Sequence, residues 1–215
     1  TGTTVGTDQV TSALGPLTLD QSQTAGATAV TFNSTTRTGQ IFTAGSSGFL
    51  TQVILSLRVQ TGDNKSGNIT LRVKDVVSSL PGPTALAETT IDPNTVPSTQ
   101  GNVTFNYSSP ATLIAGTQYA LVIFRSGTSN TNLYDWYRST SDTYPGGTPV
   151  NSSNGGSTWT TGTNDRVFST YNQTYSTAGI HASDVKDTGS TYTQFKTLSW
   201  DETLPVGTDI TFEVR

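Results

Sequence analysis

Few residues in this chain of 215 could carry out chemistry. Cysteine and methionine are absent, and the one histidine, His181, lies near Asp184 without a GxSxG elbow or another nucleophile motif. A catalytic relay needs a nucleophile, a base and an orienting acid in one pocket, so a surface histidine is the simpler interpretation. No spacing among the twelve Asp and three Glu singles out a glycosidase-type pair. The sequence therefore predicts a protein that is not an enzyme.

The composition is polar but poor in charge. About three residues in ten are Ser or Thr, and only 12% are charged. Thr favours strands because its branched side chain fits a pleated surface, whereas Gly and Asn favour turns. A net charge of -4 without a Lys/Arg cluster argues against a nucleic-acid partner.

No apolar run approaches the roughly 18 residues of a membrane span. The chain begins at Thr1 without a signal-peptide core. We therefore expect a secreted, extracellular or cell-surface protein whose targeting segment has been removed.

Seven Asn-X-Ser/Thr sequons are candidate glycosylation sites in an organism that performs this chemistry. Chance would give roughly four in a chain of this composition, so the excess points modestly to a glycosylated surface protein. The sequons begin at Asn33, Asn64, Asn68, Asn102, Asn106, Asn151 and Asn172.

Strand-like segments repeat between residues 19 and 172, separated by turn residues. Segments 50–60 and 68–76 both alternate apolar and polar residues, and the turn-rich loop TGDNKSG between them predicts a hairpin. Segment 117–125 is apolar on both faces, as expected of an inner strand. The other predicted strands are 27–33, 38–43, 85–91, 101–107, 131–138, 157–160 and 165–171.

The two ends differ from this central region. Residues 1–18 are small and weakly apolar, which predicts an extended arm or linker. Residues 178–215 predict an incomplete C-terminal extension of three strands, at 180–186, 193–200 and 208–214. Three strands rarely form a unit on their own. We expect them to be completed by a neighbouring copy or by the rest of a longer parent chain.

The central pattern predicts an all-β fold, a jelly-roll-type antiparallel β-sandwich over residues 19–172, because two layers are needed to cover the apolar faces. About seven-tenths of the chain resembles a jelly-roll module of prokaryotic and phage-associated secreted and surface proteins, similar to carbohydrate-binding modules. The segments that carry this resemblance are LDQSQ (19–23), GQIFTAGSSGFLTQVILSLRVQTG (39–62), NITLRV (68–73), LPGPTALAETTI (80–91), VTFNYSSPATLIAGTQYALVI (103–123) and YPGGTPVNSSNGGSTWTTGTNDRVFSTY (144–171).

A second resemblance concerns the C-terminal region. Residues 179–215, with the phrase SDVKDTGSTYTQFKTLSWDETLPVGTDITFEVR, resemble the opening strands of a β-rich repeat of large surface proteins. The resemblance implies that a longer domain begins in this region.

Aromatic residues are concentrated in the loop-rich stretch 131–160. Sugar rings stack on exposed Trp and Tyr, so Trp136, Tyr137 and Trp159 are candidate ligand-binding residues, with Tyr144 nearby. The resemblance to the jelly-roll module offers another interpretation, in which Trp136 and Trp159 cap the sandwich core.

The same resemblance implies a structural calcium ion held by loop carboxylates and carbonyls, which suit a hard cation. Asp165, before the final predicted strand, is the first candidate ligand, and Asp63 and Asn64 in the TGDNKSG loop are weaker ones. Alternatively, each Asp caps its own turn. No other cofactor is expected.

Two functions agree with these observations. The first is a non-catalytic structural subunit of a filament, pilus-like fibre or surface layer, in which copies exchange strands through the arm and the extension. The second is a carbohydrate-binding or adhesive module of a larger secreted protein. We expect the first, with copies of the chain itself as partners and glycans as further candidates.

Overall fold

The computed structural model describes residues 14–127 and 132–175. These residues form twelve strands and one short 3-10 helix, Pro93–Thr95, which is far too short to cross a membrane. The strands are β1 (Thr18–Gln23), β2 (Thr28–Phe32), β3 (Arg37–Thr43), β4 (Gly48–Val59), β5 (Ile69–Val77), β6 (Leu80–Ile91), β7 (Gly101–Leu113), β8 (Gln118–Arg125), β9 (Tyr134–Arg138), β10 (Pro149–Ser152), β11 (Thr160–Thr161) and β12 (Phe168–Gln173).

The chain divides into two units, one of which is Thr11–Gly179. The other, Thr1–Val10 with Ile180–Arg215, lies outside the described residues. The predicted arm before residue 14 and the predicted three-strand extension also lie outside them, as does His181.

The described strands form two antiparallel sheets, which confirms the predicted β-sandwich. In the first sheet, β4 pairs with β7 along one side and with β12 and then β9 along the other. Strand β1 lies outside β12, and β2 lies outside β9. The second sheet has the order β11-β10-β3-β8-β5-β6.

The main core lies between the two sheets. Its members include Leu55 and Leu57 of β4 and Leu71 and Val73 of β5, all fully buried, as the alternating pattern predicted. Each such side chain stabilises the fold by about 1.5–3 kcal/mol. The predicted inner strand β8 lies between β3 and β5 and is buried from its second residue onward.

The predicted hairpin between segments 50–60 and 68–76 is wrong. Strand β4 belongs to the first sheet and β5 to the second, so the loop between them crosses the sandwich. Apolar alternation determines which face of a strand is buried, but not which strand pairs with it. The hairpin partner of β5 is β6. Ser78 and Ser79 join them with φ values of 51° and 63°, the geometry of a turn that matches strand twist.

A smaller apolar cluster lies on the outer face of the second sheet. It consists of Ile41, Ala120, Val122 and Val150, which point away from the main core because their strand neighbours point into it. Trp159, in the loop between β10 and β11, packs against this cluster. The outer cluster therefore positions that loop over the sheet.

Candidate ligand-binding site

Two of the aromatic residues proposed as a sugar platform are core residues. Trp136 is fully buried, and its indole Nε1 donates to the carbonyl of Val167 at 2.8 Å. The Tyr137 side chain is 7% exposed, with the Arg58 guanidinium 5.7 Å from the centre of its ring. The platform prediction is therefore wrong for Trp136 and Tyr137, because β9 turns both rings into packed surroundings.

Tyr144 is also buried. Its ring lies edge-on to Phe168 with the centroids 5.1 Å apart, and its hydroxyl donates to Gln21 Oε1 at 2.9 Å. Tyr144 therefore serves the packing of the sandwich and offers no surface for a ligand.

Trp159 differs from these residues because it is only partly buried. It does pack on an apolar cluster, as the alternative interpretation predicted, but this is the outer cluster rather than the core between the sheets. Its chain neighbours Thr158 and Thr160, but not Trp159 itself, belong to the lining of a small cleft.

The cleft has a volume of about 170 Å³ and lies where the start of β3 meets the loop between β10 and β11. It is smaller than a drug-sized pocket of about 300–1,000 Å³. The lining residues all carry a hydroxyl or amide group, although most of the lining surface is apolar: Thr36, Asn151, Ser152, Ser153, Thr158 and Thr160. Trp159 stands between two of these lining residues in the chain.

The loop over the cleft is held by its own hydrogen bonds. Ser152 Oγ accepts from the backbone N–H of Gly156 at 2.9 Å, and Asn154 Oδ1 accepts from that of Thr158 at 2.9 Å. The N–H of Gly155 donates to the carbonyl of Thr35 at 2.8 Å, which ties the loop to the start of β3. Gly155 and Gly156 have φ values of 69° and 86°, a conformation that favours glycine.

A cationic group lies against the loop between β10 and β11. The Arg37 guanidinium lies 4.1 Å from the ring centre of Phe124, and Arg72 approaches the same ring at 4.8 Å. A Cβ atom built on Gly156 would lie 3.3 Å from both Arg37 Nη1 and Trp159 Cζ2. The guanidinium and the indole therefore flank the same glycine of the loop.

The floor of the cleft rests on a buried arginine. Arg166 is 2% exposed, and its Nη2 donates to Asn151 Oδ1 at 2.7 Å. Its Nε donates to Thr38 Oγ1 at 3.0 Å, and its Nη1 to the carbonyl of Asn164 at 2.8 Å. All three acceptors are neutral. Burial, and after it the positive charge of Arg138, lower the pKa of Arg166 to about 10, although the charge of Asp165 opposes this shift.

The contacts of Asp165 fit a turn cap better than a calcium ligand. Its Oδ2 accepts from the backbone N–H groups of Thr143 and Tyr144, both at 2.8 Å, and its Oδ1 accepts from Gln40 Nε2 at 3.1 Å. The carboxylate is fully buried. N–H donors repel a cation, so these contacts do not support calcium binding at Asp165.

The weaker calcium candidates are not gathered into a site either. Asp63 Oδ2 accepts from the N–H of Leu133 at 3.2 Å, and Asn64 is exposed. Throughout residues 14–127 and 132–175, no group of three or more His, Cys, Asp or Glu side chains could hold a metal ion.

The seven sequons divide by exposure. Asn64, Asn68, Asn102 and Asn106 are exposed, and Asn151 is partly buried. Asn33 and Asn172 are buried, 8% and 3% exposed, which leaves no room for a glycan on the folded domain. The prediction of glycosylation at these two residues therefore conflicts with their packing.

Sequence reasoning missed most of the cleft. Ser152, Ser153 and Thr158 lie in the segment NSSNGGSTWT, whose paired glycines indicate a tight loop but no ligand. The chain matches no protein family model and no curated protein. The function must therefore be inferred from the geometry alone.

Proposed function

We propose that residues 14–175 form a non-catalytic carbohydrate-binding or adhesive module of a secreted or cell-surface protein. The observation that carries the proposal is the partly buried Trp159, whose chain neighbours Thr158 and Thr160 belong to a cleft of hydroxyl- and amide-bearing residues. Sugars are bound by an aromatic ring that stacks on their CH groups and by polar groups that pair with their hydroxyls. Segment 151–160 supplies both elements, the ring at Trp159 and the polar groups at the cleft.

The size of the cleft favours a small part of a polymer as its ligand. A volume of about 170 Å³ suits one sugar ring or its substituents rather than a fully enclosed oligosaccharide. We therefore propose that the module binds one unit of a longer glycan, with a correspondingly modest affinity.

The non-catalytic proposal is supported by the two buried carboxylates of residues 14–127 and 132–175. Asp135 pairs with Arg58 at 2.8 Å and accepts from Gln60 and Thr31, and Asp165 accepts from N–H donors. Neither lines the cleft. A glycosidase needs two carboxyl groups facing the scissile bond, and the residues that line this cleft supply none.

Binding to an oligosaccharide panel, measured by isothermal titration, tests this proposal, and in the wild type the Trp159 indole N–H is also followed by NMR. We expect Ser153→Tyr, which places a ring in the cleft from an exposed position, and Trp159→Ala to abolish binding. Tyr175→Ala is the matched control, because Tyr175 is an aromatic residue 39% exposed outside the cleft lining. Binding that survives Ser153→Tyr and Trp159→Ala, while both variants remain folded, would contradict the proposal.

A second function, the structural subunit of an assembly, is favoured by one observation. Strand β1 has no partner along its outer side within the described ranges, and it carries the half-exposed Leu19, with Leu17 just before it. Unprotected apolar strand edges pair readily with other chains. A copy of the same protein is the proposed partner of this edge, whereas strand exchange through the arm and extension concerns residues outside the description.

Light scattering and electron microscopy test the assembly. We expect a Leu17→Lys, Leu19→Lys double variant to reduce association between copies, because charges at a strand edge oppose pairing. Ile114→Lys is the control, since Ile114 is 62% exposed and lies in the turn after β7, outside the strands. A wild-type chain that stays monomeric at all concentrations would contradict this second function.

A further inference from the structure

The loop between β10 and β11 contains the one Asn-Gly pair of the chain, Asn154 followed by Gly155. Every other asparagine of the 215 residues is followed by a residue that carries a side chain. We infer that Asn154 is a site of spontaneous covalent modification, at which the carboxamide is converted to aspartate or isoaspartate and the closed loop holds the reaction back. The reaction needs no ligand, so it is independent of the proposed saccharide binding.

The reaction joins two neighbouring residues. A base in the solvent removes the backbone N–H proton of Gly155, and the nitrogen attacks Cγ of Asn154. The bond from nitrogen to Cγ forms, the bond from Cγ to Nδ2 breaks, and Nδ2 leaves as ammonia with a proton from water. Water then opens the cyclic succinimide at either carbonyl, so one water is consumed and one ammonia released overall. Glycine favours ring closure because it has no Cβ to crowd the attacking nitrogen.

The closed loop withholds the nucleophile. The N–H of Gly155 donates to the carbonyl of Thr35 at 2.8 Å, just before the start of β3. Gly155 reaches this carbonyl with a φ of 69°, a conformation that favours glycine. A base can remove the proton only after this hydrogen bond opens, as in amide hydrogen exchange. The contact between the loop and the start of β3 therefore controls the first step.

The closed loop also fixes the carboxamide that is attacked. Oδ1 of Asn154 accepts from the backbone N–H of Thr158 and from the hydroxyl of Ser152, both at 2.9 Å. Nδ2 of Asn154 donates to Thr158 Oγ1 at 2.8 Å. Asn154 and Thr158 are nevertheless exposed, so water and base reach the loop. The carboxamide is thus accessible to the reagents, but it is free to turn onto the Gly155 nitrogen only when these bonds break.

Asn106 provides an internal comparison. It is exposed like Asn154, but it lies within β7 in register with Gln52 of β4, and Tyr107 follows it. A bulky side chain on the following residue hinders ring closure even when the chain is unfolded. Exposure therefore does not distinguish Asn154 from Asn106, whereas the following glycine does.

Isoaspartate is expected to open the loop permanently. It routes the main chain through the former side chain and inserts one more carbon between residue 154 and Gly155. The bond from Gly155 to Thr35 and the bond from Thr158 to residue 154 both depend on the original spacing, so they cannot both re-form. The modification is therefore a one-way switch that detaches the segment before Trp159 from the start of β3.

Incubation at mildly alkaline pH, in water enriched in heavy oxygen, tests the inference. The folded chain is compared with the same chain in guanidinium chloride, and peptide mass spectrometry measures aspartate and isoaspartate at residue 154. We expect the folded chain to react about tenfold or more slowly, because several hydrogen bonds must open together. Hydrogen exchange at Gly155 should be slowed to a similar extent, because exchange begins with removal of the same proton. In the unfolded chain, Asn106 should react more slowly than Asn154.

Three variants test the control by the loop. Thr158→Ala removes the acceptor of Asn154 Nδ2, so we expect the folded chain to react about two- to tenfold faster and the unfolded chain to react at the wild-type rate. Thr158→Ser keeps the hydroxyl and is expected to restore the slow reaction. Ser153→Ala is the matched control, because Ser153 is an exposed neighbour that makes none of these bonds.

Gly155→Ala is measured in guanidinium chloride alone, where folding plays no part, and is expected to slow the reaction. A wild-type rate in this variant, or no conversion of the unfolded wild type, would overturn the assignment of the site. Equal rates in the folded and unfolded wild type would overturn the control by the loop, as would an unchanged folded rate in Thr158→Ala. Exchange protection retained at Gly155 in the isoaspartate form would overturn the detachment from β3. None of these measurements uses a saccharide, so their outcome is separate from that of the proposed function.

Discussion

The indole N–H of Trp136 donates to the backbone carbonyl of Val167. This bond lies where β4 changes its pairing partner on one side from β12 to β9. Beside β4, strand β12 pairs as far as Leu55, and β9 takes over from Leu57. The N–H of Val167 in turn donates to the carbonyl of Tyr137 at 2.9 Å. These two bonds join β9 to the start of β12 and close the gap between the two partners of β4.

We predict that Trp136→Phe lowers the free energy of unfolding by about 2–4 kcal/mol, through lost volume and a lost hydrogen bond in the core. Urea denaturation measures this change. Trp159→Phe is the control and is expected to cost less, because Trp159 is only partly buried on the outer cluster. Equal losses in the two variants would contradict the assignment of Trp136 to the core.

Asp165→Asn is predicted to lower the free energy of unfolding by about 2–3 kcal/mol. The carboxylate accepts from N–H donors at both oxygens, and an amide would turn an NH₂ group towards one set of them. Asp63→Asn should cost less, because Asp63 makes a single 3.2 Å bond near the surface.

A chelator test accompanies these two variants. We expect the melting temperature of the wild-type chain to be the same with excess calcium and with EDTA. A melting temperature that calcium raises in the wild type, but not in Asp165→Asn, would restore the calcium interpretation.

The sequence predicted the core better than the pairing of strands. Alternation alone assigned four residues to buried faces, because successive side chains of a strand point to opposite faces of the sheet. These residues are Leu55, Leu57, Leu71 and Val73. The partners of their strands depend on contacts between segments far apart in the chain. No local pattern shows whether the chain after β4 returns to the same sheet or crosses to the other sheet before β5.

The cleft was beyond sequence reasoning for the same reason. It depends on the pairing of Arg37 with Ser152, more than a hundred residues apart. Trp136 and Trp159 looked alike in the sequence because both lie in a stretch rich in aromatic and turn residues. They differ in position. Trp136 lies on β9, an inner strand of the first sheet, whereas Trp159 lies in a loop over the outer face of the second sheet.

Tyr107→Phe is predicted to stabilise the domain by up to about 1 kcal/mol. The Tyr107 hydroxyl is buried and has no hydrogen-bond partner in the described residues, so its removal relieves a desolvation penalty. Tyr144→Phe is the matched control and should destabilise, because it loses the 2.9 Å bond to Gln21. Destabilisation by Tyr107→Phe, measured by urea denaturation, would indicate an unseen partner for that hydroxyl.

Alkaline pH is predicted to destabilise the fold through the same two phenols. Burial raises the pKa of Tyr144 to about 12 and also raises that of Tyr107, so the folded state holds these protons more tightly than the unfolded chain does. The contribution of these two phenols to the free energy of unfolding is therefore fully present below about pH 10 and is lost as the pH rises towards 12. The free energy of unfolding, measured across this range, should fall less steeply in Tyr144→Phe. If the free energy of unfolding falls with pH as steeply in Tyr144→Phe as in the wild type, Tyr144 does not contribute to the alkaline destabilisation.

Glycan occupancy is predicted to follow side-chain exposure. Asn33 Oδ1 accepts from the backbone N–H of Thr36 at 2.7 Å, and Asn172 Nδ2 donates to the Ser46 carbonyl at 3.3 Å, both in buried positions. Asn102 alternates outward on β7 and is exposed. A glycan on Asn33 or Asn172 would break these bonds and open the packing around them.

Secretion from a eukaryotic host that glycosylates Asn-X-Ser/Thr, followed by glycopeptide mass spectrometry, checks this prediction. We expect glycans at Asn102 and Asn106, which are exposed four residues apart on the same face of an edge strand. Asn33 and Asn172 should be unmodified in the folded, secreted fraction. A folded fraction with full occupancy at Asn172 would show that β12 separates from its neighbours far enough to release this side chain from its contacts with Ser46.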